Sequence, residues 1–143
     1  MSSIVISGDT SGTVTLQAQA VSGSTTLTLP TISGTVNLNP SSNTQASASS
    51  ITPDINTYSQ YNLTALAANL TINAPTGTPY DGQKLTFRLL DNSTSRTLTW
   101  NATYTAIGVT LPTSTTVSKT VYVGCVYNAN NTRWDVVAVT TQV

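Results

Sequence analysis

Five aspartates, Asp9, Asp54, Asp81, Asp91 and Asp135, are the only acidic side chains in this chain of 143 residues, which has no glutamate and no histidine. Histidine is the side chain that titrates near neutral pH without tuning. A chain that lacks it runs acid–base chemistry through aspartate, lysine or tyrosine, or runs none. The spacing argues for none. Hydrolysis by paired carboxylates needs two of them facing one bond, and Asp81-Gly82 reads as a tight turn with no second acid placed beside it. Asp91-x-Ser93-x-Ser95 has the outline of a calcium loop but lacks the downstream bidentate acid and the further carboxylates that a hard cation takes, so it reads as a solvated turn. No hydroxyl or thiol nucleophile has a partner base. Cys125 is the single cysteine. It has no intrachain disulfide partner and lies inside an apolar strand pattern, as a small core residue does. The expectation is a protein that is not an enzyme, with no catalytic residues, no cofactor, no cofactor-binding residues and no metal ligands.

Binding without catalysis would draw on the aromatic pairs. Tyr58 with Tyr61, or Trp100 with Tyr104, could form a platform for sugar stacking; two indoles in a ~90-residue module serve more commonly as core. The cations Lys84, Lys119, Arg88, Arg96 and Arg133 balance the acids to a net charge of zero. Charged residues are 7% of the chain, against ~25% in ordinary globular domains. Five scattered cations make no basic stripe, so no nucleic-acid partner is expected. No run approaches the ~20 apolar residues of a membrane span, so no membrane is expected. Met1–Ile6 shows neither a basic nor an apolar signal region, which points to synthesis without a signal peptide. The Asn-x-Ser/Thr triplets at Asn62, Asn69, Asn92, Asn101 and Asn130 read as accidents of a Thr-rich composition.

The elements that would carry these residues fall into two segments meeting near residue 40. In the first, Gly12-Thr13-Val14-Thr15-Leu16 returns as Gly34-Thr35-Val36-Asn37-Leu38, with Thr25-Thr26-Leu27-Thr28-Leu29 between them. Val14/Leu16, Leu27/Leu29 and Val36/Leu38 alternate with hydroxyl residues, which predicts three or four short strands separated by glycine turns. No aromatic occurs there, and a ~40-residue unit of this kind buries too little apolar surface to stand alone. Residues 1–40 are therefore expected to be a β-rich arm that lies against a partner. Residues 41–52, small and polar without periodicity, read as a linker.

All nine aromatics, six Tyr, two Trp and one Phe, follow Pro53. Strands are expected at Thr57–Leu63, Asn69–Asn73, Gln83–Leu90, Thr97–Ala102, Thr105–Leu111, Thr116–Tyr127 and Arg133–Val139. Leu85/Phe87/Leu89 alternate with Lys84/Thr86/Arg88, apolar in and polar out. Val121/Val123/Cys125 and Tyr122/Val126 are apolar on both sides, which suggests a strand covered on both faces. Asn128-Ala129-Asn130-Asn131 reads as a hairpin loop. Leu63–Leu70 reads as a bend between strands, since no helix cap is evident. Strands at this spacing without a helical pattern predict an all-β fold: an antiparallel β-sandwich or jelly-roll-like domain over residues 53–143, preceded by the extended β-arm.

The Gly-Thr-Val-Thr-Leu, Ser-Gly-Ser-Thr-Thr-Leu-Thr-Leu-Pro and Ser-Gly-Thr-Val pattern resembles Thr-rich segments of tailed-bacteriophage virion proteins. The later Asp81-Gly82-Gln83-Lys84-Leu85-Thr86-Phe87-Arg88-Leu89, Arg96-Thr97-Leu98-Thr99-Trp100-Asn101 and Arg133-Trp134-Asp135 are similar to β-sandwich modules of phage decoration proteins and tail fibres. The resemblance implies a homotrimer, no catalysis, and synthesis in the cytoplasm of a host cell. Host-binding fibres carry a docking domain, a shaft and a tip, whereas 143 residues leave room for an arm and one module. That favours a small capsid decoration (cement) protein on the outer surface of a phage head, bound to the major capsid protein. The alternative is a short tail-fibre or tail-tip adhesion protein that binds host surface glycans, with a free sugar-binding module as a third reading.

Overall fold

In a computed structural model of the chain, the described residues are Ser3–Ser7, Thr13–Gln17 and 41–143. The chain divides into two units, Met1–Val36 and Asn37–Val143. In the first unit, β1 (Ser3–Ser7) and β2 (Thr13–Gln17) form an antiparallel ladder that pairs Ile4 with Leu16 and Ile6 with Val14. The strands expected around residues 25–29 and 34–38 lie outside the described residues.

The second unit is built from strands that alternate between two sheets. β3 (Ser41–Gln45), β5 (Tyr58–Leu66) and β7 (Lys84–Asp91) run parallel in one sheet. β4 (Ser50–Ile51), β6 (Leu70–Ile72) and β8 (Leu98–Trp100) run parallel in the other. Each strand from β4 to β7 thus serves as the crossover between successive parallel strands of the other sheet, where α/β proteins would use a helix. β9 (Tyr104–Ala106), β10 (Val121–Asn128) and β11 (Arg133–Thr141) complete the first sheet in the order β3-β5-β7-β10-β11-β9. Among the described residues no helix is long and apolar enough to cross a membrane.

The fold class is all-β, as the alternation implies, but the pairing differs from the antiparallel expectation. In the second unit β7/β10 and β10/β11 are antiparallel, while β3/β5, β5/β7, β11/β9, β4/β6 and β6/β8 are parallel. The 41–52 linker also gives way. Ser41–Gln45 pairs with β5, and Ser50–Ile51 pairs with β6 with Ile51 buried. This segment lacks apolar periodicity because its inner positions are polar: the row Asn43–Tyr61–Phe87–Val123–Val139 runs across five strands, and Gln45 stands in line with Leu63 and Leu89. Among the described residues β3 is the end strand of its sheet, and polar residues there can close a core as caps do in repeat proteins. Asn62 fixes β3 in place. It is nearly inaccessible, its Nδ2 donates to Ser42 Oγ at 2.6 Å and Thr44 Oγ1 at 3.0 Å, and its Oδ1 accepts from Gln60 Nε2 at 2.6 Å.

Both sheets contribute to one apolar core, with Ile72, Leu85, Phe87, Leu89, Val123 and Val136 fully buried. β10 is covered on one face only: Val121, Val123 and Cys125 are inside, whereas Tyr122 is 41% exposed. Its second apolar row faces outward, so the two-sided reading of that strand does not hold. Opposite it, a bulge between Gly124 and Cys125 pairs those residues with Ala138 and Val136, leaving Val137 as the extra residue. Val137 already faces outward by alternation with the buried Trp134 and Val136; the bulge resets the pattern after it, so that Val139 and not Ala138 packs on the core.

Candidate functional site

The aromatic platforms are not on the surface. Tyr61 and Tyr104 are buried and Trp100 is half-buried. Phe87 meets Trp100 and Tyr104 edge-on at 5.3 and 5.7 Å, and Trp100 meets Tyr104 at 5.5 Å. Such T-shaped contacts set the positive edge of one ring against the negative face of the next. Their polar atoms are satisfied within the chain: Trp100 Nε1 donates to the Pro112 carbonyl at 2.8 Å and Tyr104 Oη to the Asn73 carbonyl at 3.1 Å. Burial raises the Tyr104 phenol far above its ordinary value and pushes the Cys125 thiol up to about 12. Neither group is poised as a base or nucleophile near neutral pH.

Each described carboxylate accepts hydrogen bonds from the protein itself. Asp54 receives Asn56 N and Thr57 Oγ1 at 3.1 and 2.7 Å. Asp91, buried at the end of β7, receives Ser93 N (3.0 Å) and Ser118 N (2.9 Å) on Oδ1, and Thr115 Oγ1 (2.7 Å) on Oδ2. Ser93 and Ser118 both take left-handed backbone angles, φ 68° and 57°. Non-glycine residues hold that conformation when surrounding contacts fix it, and here the shared carboxylate is that contact. Burial alone would raise the Asp91 pKa; the donors from Ser118, Thr115 and Ser93, with Arg96 nearby, outweigh it and hold it below the usual carboxylate range. An oxygen facing N–H and O–H donors is turned away from cation ligation. The Asp91-x-Ser93-x-Ser95 turn is thus a clamp joining the end of β7 to the loop before β10. Among the described residues there is no group of three or more acidic, histidine or cysteine side chains able to hold a metal. Asp9 lies outside the described residues.

Asp81 and Asp135 come together where no sequence pattern indicated it. They line an open cleft with Gly82, Tyr127, Asn128 and Asn130, walled by Val126 and Val137. The Asp81-Gly82 turn is tied to the hairpin by Ala129 N donating to Asp81 Oδ1 at 2.9 Å and by Gly82 N donating to the Tyr127 carbonyl at 2.9 Å. Asp135 accepts from Arg133 Nε at 2.7 Å and from Asn128 Nδ2 at 2.9 Å. The Asn128 bond foremost, with the Arg133 bond and charge, lowers its pKa against the opposing effect of burial. The cleft escapes sequence reading because Asp81 and Ala129 are 48 residues apart.

The chain matches no family model, no curated protein and no solved structure.

Proposed function

We propose that the chain is a non-enzymatic virion structural protein, a capsid decoration (cement) protein whose first unit anchors it to the outside of a phage head and whose second unit forms the projecting knob. The reading draws on the Thr-rich and Arg-Trp-Asp motifs that resemble virion proteins. The observation that carries it is the use of the polar side chains. Asp54, Asp81, Asp91 and Asp135 all bind the chain's own donors, and no buried side-chain nitrogen or oxygen among the described residues lacks a partner. Such a body spends its polar groups on rigidity, which suits a particle component. Its two sheets around one core supply the layering of a sandwich-like knob, with parallel windings in place of jelly-roll hairpins.

The active form in this proposal is a homotrimer that contacts the major capsid protein through residues 1–40, where short Thr-rich strands need cross-chain pairing to cover their edges. The test is to mix undecorated heads with the full chain and with a variant lacking residues 1–36. The full chain should saturate the heads and the shortened one should leave them bare. Full-occupancy binding by the shortened protein would move the anchor to the second unit. A second reading, a short tail-fibre or tail-tip adhesin, is favoured by one observation, the open cleft beside the β10–β11 hairpin. Attachment to tails and not heads would select it.

A further inference from the structure

We propose that the cleft between the Asp81-Gly82 turn and the β10–β11 hairpin binds a neutral saccharide ring, its hydroxyls donating to Asp81 and the hairpin asparagines and its C–H face resting on Val126 and Val137. This goes beyond particle attachment and holds whether the chain sits on a head or a tail.

Three features converge on that ligand class. First, the acceptors are fixed before any ligand arrives. Ala129 N holds Oδ1 of Asp81, and among the described residues no donor reaches Oδ2, which is left to accept from outside. Arg133 and Asn128 occupy both oxygens of Asp135 and neutralise that side of the cleft. A pre-organised acceptor costs less to engage than a mobile one. Second, the wall is aliphatic by construction. Val137 follows Asp135 on the outward face of β11, with Trp134 and Val136 buried on the other face, and stands 48% exposed in the cleft next to the half-buried Val126. Third, the carboxylates are too few for a divalent cation. A divalent cation would need ligands that Asp135 has already committed to Arg133 and Asn128. A ring that offers O–H donors on its edge and C–H groups on its face matches all three.

The cleft is open, so a single site should bind weakly, and useful avidity would come from several copies on one particle. The test is an amide-resolved NMR titration of the full chain with the methyl glycosides of glucose, galactose, mannose, rhamnose and N-acetylglucosamine, with calcium chloride and lysine amide as competing probes. At least one glycoside should give saturable shifts centred on Gly82, Ala129 and Val137. Asp81→Asn keeps an oxygen for Ala129 N but presents an amide donor outward. It should weaken binding about tenfold, the effect of losing a charge-assisted hydrogen bond, with the melting temperature unchanged. Val137→Ser, at an exposed position, should weaken binding without moving the fold. The proposal is overturned if no glycoside gives saturable shifts, if the shifts centre elsewhere, if Asp81→Asn binds as the parent does, or if only calcium or lysine amide moves these amides. None of these outcomes depends on attachment to particles.

Discussion

Phe87 has no exposed surface and touches Tyr61, Trp100 and Tyr104, so truncating it opens a cavity at the centre of the aromatic cluster. Phe87→Ala should lower unfolding free energy by about 3–5 kcal/mol in a denaturant titration. Alternation made this residue legible in the sequence, since Leu85/Phe87/Leu89 point one way and Lys84/Thr86/Arg88 the other. The role of Asp91 was not legible, because its donors Thr115 and Ser118 come from a distant loop. A carboxylate whose folded pKa is depressed contributes stability above its unfolded value of 3.8, and loses that contribution as pH falls through the folded value. Asp135 acts in the same sense. With no histidine to titrate, the melting temperature should stay flat between about pH 5 and pH 8 and fall below about pH 4. Asp91→Asn should melt lower than the parent at neutral pH and lose less on acidification. Cys125 sets the opposite limit. Its folded pKa is raised from 9.0 to about 12 by burial, so its contribution is complete below the unfolded value and is lost as pH rises toward the folded one. Native protein should accordingly resist thiol reagents at neutral pH and react after denaturation.

The strongest strands after Pro53 follow from period-two patterning: the expected Gln83–Leu90 is β7 at Lys84–Asp91, and the expected Arg133–Val139 lies within β11 at Arg133–Thr141. By contrast, the expected Thr105–Leu111 shrinks to Tyr104–Ala106, the expected Thr116–Tyr127 starts only at Val121, and β5 runs on to Leu66 through the start of the expected Leu63–Leu70 bend. Strand pairing does not follow, because parallel and antiparallel ladders share the same period. Nor could β3 be seen, since Asn43 and Gln45 stand where apolar residues would signal a strand. The boundary of the folding unit moves as a result. A fragment starting at residue 53 loses β3 and β4, stripping Asn62 of Ser42 and Thr44 and the core of Ile51. The 37–143 fragment should melt cooperatively, whereas 53–143 should melt broadly or at a much lower temperature by circular dichroism. Equal cooperative melting of both would show that the polar end strand is dispensable. Asn62→Ala, which leaves the β3 hydroxyls without their shared partner, should cost about 1–3 kcal/mol.

Across the whole molecule, the division into units 1–36 and 37–143 is where the proposed particle role can be tested. The composition argued against catalysis from the outset, and the described carboxylates are engaged in holding backbone and side chains together. Saccharide binding at the Asp81 cleft, as proposed, can be tested separately from the proposed anchor. If the first unit is the anchor, Val14→Asp should weaken head attachment while leaving the 37–143 body folded, since an unpaired charge is costly in a buried contact. The central claim is placement on the head. Quantifying this chain against the major capsid protein in purified particles tests it most directly. Decoration predicts an abundance in fixed proportion to the capsid protein, falling only when residues 1–36 are removed. A few copies per particle, co-purifying with detached tails, would contradict it.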